Sequence, residues 1–379
     1  MPTQNTLAML SNCRSCNSGT LTLAAIRKNF PLYIWPLPKS ESTKLEDIQL
    51  YVCDECGYMQ LQNIDKKKIS DIYRNEAFNI DNLNQNKGRF KLISNNDLNK
   101  FSDKKVLEIG GGRNSFVKVL PKKTEKWVAD FSIEKSVKSI LNGSYTGDFI
   151  NLEVKEKEFD FIFMFHVLEH FNNPGKVLNK IKTLLKKTGR VIIEVPNFEF
   201  ESQKRSYYTL FHMHISLFTD LALTSMMTRY GFNCVGYYKK NDVLLAEFSI
   251  GDKKKTGNHK QHSMDLIGSL QLNLETTYVK LKKIFINLED KKVAIFGAGG
   301  ATTLFLYNFP FLIEKLSCVI DNNESKWGRF ICDRKIPVIS YNEFLNKNIK
   351  NVIILEESHI QYIKNKQINF INIGNLNNE

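Results

Sequence analysis

From Lys104 onward, short apolar runs bounded by turn residues alternate with amphipathic stretches: "KVLEIG", "KWVADF", "GDFINL", "FDFIFMFHVL" and "GRVIIEVPN". Runs of this length without strict alternation predict strands buried on both faces. The stretch "PGKVLNKIKTLLKKTG" between two of them has helical spacing. Together they predict a parallel sheet covered by helices on both sides. Upstream, "YVCDECGYMQL" alternates like a strand ending in a tight turn, and the polar, Asn- and Lys-rich residues 66–100 read as connecting helices. Downstream, residues 250–263 are polar enough for a linker, and "MDLIGSLQLNLETTYVKLKKIFINL" predicts a long helical spacer. At "KKVAIFGAGGATTLFL" the strand-then-glycine pattern returns, with Val293 to Phe296 as the strand and Gly297, Gly299 and Gly300 as its turn. It continues through "LSCVIDNNESKWG" and "NVIILEES", which predicts a second doubly wound domain.

The chain thus divides into an N-terminal module (1–65), a central doubly wound α/β domain with preceding helices (66–250), a linker and helical spacer (251–290) and a C-terminal Rossmann-like domain (291–379). An apolar fraction of 42% and a charged fraction of 25% are those of an ordinary globular protein. No apolar run reaches membrane-spanning length, and "MPTQNTLAML" lacks a basic segment followed by an apolar one. Cytoplasm is therefore the expected location, with no membrane span. The net charge of +13 invites a nucleic-acid reading, but the lysines are scattered in short runs without interleaved aromatics, as on a solvated basic surface.

Four of the seven cysteines form two C-x-x-C pairs, Cys13 with Cys16 and Cys53 with Cys56. Two residues between sulfurs let one turn aim both thiolates at a single tetrahedral ion, so the pairs predict a zinc site. A redox C-x-x-C is the alternative, but nothing around either pair resembles a thioredoxin. Four sulfur ligands leave no place for a catalytic water, which makes the zinc structural. The 36 residues between the pairs exceed a compact ribbon and imply an insertion. Cys234, Cys318 and Cys332 stand alone and read as buried apolar residues.

In "VLEIGGGRNS" a strand containing Glu108 runs into Gly110, Gly111 and Gly112, where a ligand meets the carboxyl edge of the sheet. Asp130 ends the next strand, 22 residues after Glu108, near the offset at which an acid accepts hydrogen bonds from ribose hydroxyls. Asp148, in "TGDF", ends a third strand. Acids at successive strand ends suit a ribose and an exocyclic amine, and they oppose a ligand that presents phosphates.

Through "VLEIGGG", Asp130, Asp148 and "FDFIFMFHVLEHF" the chain resembles the class I S-adenosylmethionine-dependent methyltransferases. The resemblance implies that Glu108, Gly110 and Gly112 shape the loop under the cofactor and that Asp130, with Phe131 beside it, lies at the ribose. It further implies that Asp148 and Phe149 flank the adenine and that His166 lies near the methionine end. The usual third loop glycine is Asn114 here. The three-part layout is similar to that of the sugar C-methyltransferases acting on nucleotide-linked keto-deoxysugars, in which the third part helps enclose the sugar nucleotide. This weighs against an independent dinucleotide site at "GAGG".

Transfer to a carbon beside a ketone needs a base, and a histidine working near neutral pH can supply one. "LFHMHISLFT" resembles the segment of that family that carries the proposed base. By this match His214 is the base and His212 its neighbour, while Phe211 and Met213 replace a tyrosine and a glutamate. His170, just past the fourth strand, is placed to touch the acceptor, and Tyr207 and Tyr208 to line its pocket, with Pro196 at a bend and Asn197 facing the cleft. Glu169 stands with His166 and His170 at the mouth of the site, with a helix-start role as the alternative. The expected partner is a small nucleotide sugar, handled by a monomeric enzyme of surface-glycan or secondary-metabolite synthesis. O-methylation of a related acceptor and a zinc-containing RNA methyltransferase are the alternatives. A non-catalytic assembly protein would have lost the ribose acid, and Asp130 is present.

Overall fold

The structure is a computed structural model that describes residues 12–62, 98–113, 115–289, 292–333, 335–363 and 368–373. The helices expected over 66–100 fall almost wholly outside the described residues, as does Asn114. No helix among the described residues is long and apolar enough to cross a membrane.

Three sheets make up the fold. In the first, β1 (Leu21–Pro31), β2 (Leu45–Cys53) and β3 (Met59–Leu61) run antiparallel. Hairpin strands with one apolar face bury Ile48, Leu50 and Val52 of β2 and leave the alternate residues partly exposed.

The second sheet holds β4 (Lys105–Ile109), β5 (Glu125–Asp130), β6 (Gly143–Thr146), β7 (Phe159–Phe165) and β8 (Leu185–Pro196). The hairpin β10 (Phe232–Lys240) and β11 (Val243–Ile250) closes one edge. The order is β10-β11-β8-β7-β4-β5-β6, parallel from β8 to β6, with β11 antiparallel to β8. The chain steps outward from β4 to β5 and β6, then returns to lay β7 on the other side of β4. A crevice for a ligand opens at such a reversal. Two boundaries lie elsewhere than the periodicity suggests. Helix α1 (Pro174–Leu184) has Pro174 in its first turn and the Asn173 side chain accepting from the Lys176 amide, and it buries Val177, Leu178, Ile181 and Leu184. It stops at Leu184 because Leu185 turns extended, pairs with Phe159 and enters the core, although helical spacing persists to Gly189. The third strand lies earlier than "GDFINL": β6 ends at Thr146, Gly147 takes φ +142°, and Asp148 stands in the turn beyond. Cys234 is a correction to the buried-cysteine reading. It is exposed, because β10 is an edge strand whose residues after Phe232 face solvent, whereas Cys318 and Cys332 are buried.

The third sheet, in the C-terminal part, contains the parallel run β15 (Ile336–Ile339), β13 (Leu316–Ile320), β12 (Val293–Phe296), β16 (Asn351–Ile354) and β17 (Asn369–Asn372). The short β14 (Phe330–Ile331) pairs antiparallel with β15 at one edge.

The parts share buried surface. Helix α2 (Lys260–Phe285) begins inside the stretch read as linker and buries Leu266, Ile267, Leu270, Leu274, Leu281 and Phe285. That stripe joins one hydrophobic cluster with Leu50 and Leu61 of the first sheet and Val293 and Val319 of the third. A second junction bears directly on chemistry: β9 (Ser216–Leu217), from the segment after β8, pairs with β3 and completes the first sheet.

Candidate active site

Cys13, Cys16, Cys53 and Cys56 come together because the antiparallel β1–β2 hairpin sets Leu21 opposite Cys53 and so brings both pairs to its open end. Cys13 Sγ is 3.7 Å from Cys56 Sγ, and Cys16 Sγ is 3.5 Å from Cys53 Sγ. A tetrahedron with ~2.3 Å zinc–sulfur bonds has edges of about 3.8 Å. The four free thiols therefore fit zinc. Turn hydrogen bonds shape each knuckle: the Asn17 amide donates to the Cys13 carbonyl, and the Gly57 amide, at φ +75°, to that of Cys53. The thiols are strongly coupled: hydrogen bonds from Cys13 and Cys56 push Cys53 down, while Cys13 and Cys56 are themselves pushed up. Between the first two cysteines, the buried Arg14 donates through Nη1 to the carbonyls of Leu61 (2.8 Å) and Ile215 (3.0 Å).

At the crevice, Gly110 takes φ +83° with its amide on the Ala129 carbonyl, and a Cβ there would stand 2.2 Å from the Val167 side chain. The Gly112 amide donates to Asp130 Oδ2 at 2.9 Å and the Ser132 amide to Oδ1 at 3.1 Å. A Cβ on Gly112 would meet the Ser132 carbonyl at 1.9 Å. Burial pushes the Asp130 carboxyl up from its ordinary value against these amides. Phe131 beside it is 56% exposed at the crevice rim. Glu108 is turned inward: its carboxylate accepts from the Ser115 hydroxyl and the Phe116 and Val117 amides, tying down the end of the loop. Asp148 accepts from the Ile150 amide and the Asn151 side chain within its own turn. Phe149 is buried, with Lys180 Nζ 4.6 Å from its ring centroid. These residues form a cradle that a glycine-free loop could not make, and they fit an adenosine-type ligand.

Beyond β7 a histidine cluster surrounds one carboxylate. His166 ends the strand with φ 54°, a conformation disfavoured for a side chain bearing a Cβ. Its Nε2 lies 3.0 Å from Glu194 and its Nδ1 3.4 Å from Glu169 Oε1. Burial opposes its charge, but Glu169 and Glu194 prevail and lift it to about 10. His170 Nδ1 donates to the Met213 carbonyl at 2.7 Å, and its ring centre is 5.0 Å from that of His214. His170 Nε2 and His214 Nε2 lie 3.8 and 3.9 Å from the same Glu169 oxygen. Despite its burial, Glu169 is held at about 2 by His170, His166 and His214. His214 is lowered to about 3 by burial and by His170, so its resting form is neutral over the whole physiological range. This differs from the near-neutral titration expected of it: the site desolvates the ring. The Phe211 ring centre lies 4.1 Å from that of His214.

His170, His214 and His166 are thus brought together, and His212 is not. It is buried on the opposite side, with Nε2 3.4 Å from the Phe30 carbonyl of β1. Tyr207 packs edge-on against Phe305 of the C-terminal part, and it borders a cleft of about 280 Å³ together with Arg205, Leu355 and Glu356. Arg205 spans that junction, binding Asp242 at 2.7 Å and Glu356 at 2.9 Å. Asn197 donates through Nδ2 to the Asn241 carbonyl. Two acids complete the cluster, and sequence reasoning missed the second, Glu201. Glu169 caps nothing and sits at the hub of the cluster. Glu201 is buried and lifted to about 8 by burial and by Asp242, and it acts electrostatically on Glu169 and His166. The adjacent "LEH" acid–imidazole pair was the only available signal for the first, and the second left none.

Residues 85–236 match the family model described as a methyltransferase domain. With the sheet order and glycine cradle above, this match makes the chain a methyltransferase enzyme with a class I fold. Residues 262–375 match a second model, the C-methyltransferase C-terminal domain. Solved structures similar to the chain include the mitomycin 7-O-methyltransferase, at 14% identity over 41% of this chain and 50% of that one, with a TM-score of 0.34. An S-adenosylmethionine-dependent methyltransferase from Clostridium acetobutylicum is 11% identical over 49% of this chain and 99% of that one, with a TM-score of 0.34. One from Mesorhizobium loti is 8% identical over 39% and 92%, with a TM-score of 0.32. The match spans half the length of the mitomycin enzyme. No curated protein matches the sequence.

Proposed function

We propose that this methyltransferase alkylates a carbon beside the carbonyl of a nucleotide-linked keto-sugar, with His214 as the base. The observation that carries the reading is the neutral, partly buried His214 imidazole beside the ionised Glu169, at the end of the strand next to the glycine cradle. The match of the C-terminal part to a C-methyltransferase model supports a carbon acceptor. Bound S-adenosylmethionine would supply a methyl group on a cationic sulfur. Gly110 and Gly112 would let its amino-acid part approach the backbone, Asp130 would take the ribose hydroxyls, and Phe131, Asp148 and Phe149 would border the adenine. The protein's own work is to exclude water and move one proton. His214 accepts the proton from the carbon next to the carbonyl, and the electron pair of the broken C–H bond stays with the acceptor as an enolate, ready for the methyl carbon. His170, pinned to the Met213 carbonyl, holds the loop that carries His214. The Cys13, Cys16, Cys53 and Cys56 zinc is structural in this scheme.

The test is transfer of labelled methyl from S-adenosylmethionine to dTDP-4-keto-6-deoxyglucose and to a mixed nucleotide-sugar fraction, with total RNA in parallel. Label in a small-molecule product that stays on the sugar skeleton after hot hydroiodic acid, as a C-methyl group must, and that disappears in His214→Ala, is the expected result. Label released as methyl iodide from an O-methyl ether, label retained on RNA, or full turnover by His214→Ala would overturn it.

A further inference from the structure

Glu169 is fully buried, yet neither carboxylate oxygen accepts a well-formed hydrogen bond. Burying an ionised carboxylate without hydrogen bonds is costly unless nearby positive charge compensates it. Among the described residues no lysine or arginine pairs with it. Instead a single oxygen, Oε1, has His166 Nδ1 at 3.4 Å, His170 Nε2 at 3.8 Å and His214 Nε2 at 3.9 Å. Nor does Glu169 serve the short helix Leu168–His170 in which it stands, since no side-chain cap bond is made there. A capping carboxylate would face the preceding amides, whereas this one faces imidazoles from two separate segments of the chain.

Resting on the His214 reading above, we propose that Glu169 is the positioning residue of the base: it fixes the His214 imidazole with Nε2–H toward Oε1, leaves Nδ1 to take the acceptor's proton, and carries the counter-charge once the imidazolium forms. When the C–H bond breaks, the proton goes to Nδ1, the electron pair stays with the acceptor, and the positive charge lies beside a carboxylate already in place. The other titratable and charged groups facing this pair are His166 and Glu194 at the strand ends, His170 from the turn after β7, and Glu201 of the helix Phe198–Lys204 with Arg205 and Asp242 behind it. His166 is already cationic between two carboxylates, and Glu201 is held protonated at neutral pH, so neither supplies His214 with its counter-charge. His170 donates through Nδ1 to the Met213 carbonyl, which ties the Glu169 turn to the residue preceding His214.

The experiment is two-bond ¹H–¹⁵N spectroscopy of the full-length, zinc-loaded protein labelled at histidine, with the His214 signals assigned from a His214→Gln variant. Wild type is expected to hold His214 as the single Nε2–H tautomer from pH 6 to 9. Glu169→Gln and Glu169→Leu, checked for wild-type thermal unfolding, are expected to show a mixture of tautomers or a switch to Nδ1–H. With dTDP-4-keto-6-deoxyglucose as acceptor, Glu169→Gln should lose about 10²- to 10³-fold in kcat while KM changes less than about threefold, and Glu169→Asp should recover part of the loss. An unchanged His214 tautomer in both folded variants overturns the proposal, and this arm needs no acceptor. A second metal per chain in wild type, absent from Glu169→Gln, would also overturn it by making the carboxylate a metal ligand. Full turnover by His214→Ala, with the tautomer result intact, would sink the base assignment and leave the Glu169–His214 geometry standing.

Discussion

Glu201 allows a quantitative test of how strongly this interior resists charge. Burial, reinforced by Asp242, lifts its carboxyl from 4.5 to about 8, and the residue is 4% exposed. A group whose folded value is raised contributes stability that is fully present below the unfolded value and is lost as pH rises toward the folded one. Each pH unit within that window costs about 1.36 kcal/mol, so the whole rise corresponds to about 5 kcal/mol. Between pH 6 and 9 only the portion up to about 8 is still to be lost, about 2.7 kcal/mol. Glu201→Gln keeps the shape and removes the titration. Its urea unfolding free energy relative to wild type should therefore rise by about 2 to 3 kcal/mol from pH 6 to pH 9. Measuring wild type and variant at four pH values across this range gives the double difference directly. A difference that is flat with pH would show that Glu201 is ionised in the folded state, and the burial argument would fail.

Two further outcomes follow from the geometry. Cys56→Ser removes one of four converging sulfurs and should weaken zinc retention at least about 100-fold, read by metal analysis after dialysis against a competing chelator; an unchanged zinc content would disprove the four-sulfur site. Gly112→Ala puts a methyl group 1.9 Å from the Ser132 carbonyl and must displace the Asp130 hydrogen bond, so affinity for S-adenosylhomocysteine by calorimetry should fall by about tenfold or more, and an unaltered Kd would remove this loop from the cofactor site.

Much of this was legible before any coordinates. β4, β5 and β7 are continuous apolar runs because parallel strands are covered on both faces, and Asp130 ends its strand where the pattern stops. The two C-x-x-C pairs carried their own geometry. The start of β8 and the end of β6 were misplaced for one reason: Leu185 and Gly147 answer to strand pairing and backbone conformation, which side-chain periodicity does not encode. The burial of lone cysteines failed at Cys234 because edge position is a property of the sheet and not of the strand. Glu169 was legible at the mouth of the site, but its place beside His214 was not. Its neighbour His214 lies 45 residues downstream on a different segment, and only the tertiary fold sets the two side by side. The segment around His214 has Met213 where a carboxylate is expected by resemblance, and the acid that stands against the imidazole comes from another turn.

The pairing of β3 with β9, together with the Arg14 bond to the Ile215 carbonyl, limits how this chain can be re-engineered. A chimera that imports a foreign metal knuckle would bring a different partner to the residue following His214, and so would shift His214 even with every cleft residue retained. The exchangeable unit is therefore discontinuous: residues 12–62 must travel with 211–218, and a splice placed at the sequence boundary near residue 65 cuts through one sheet instead of between two.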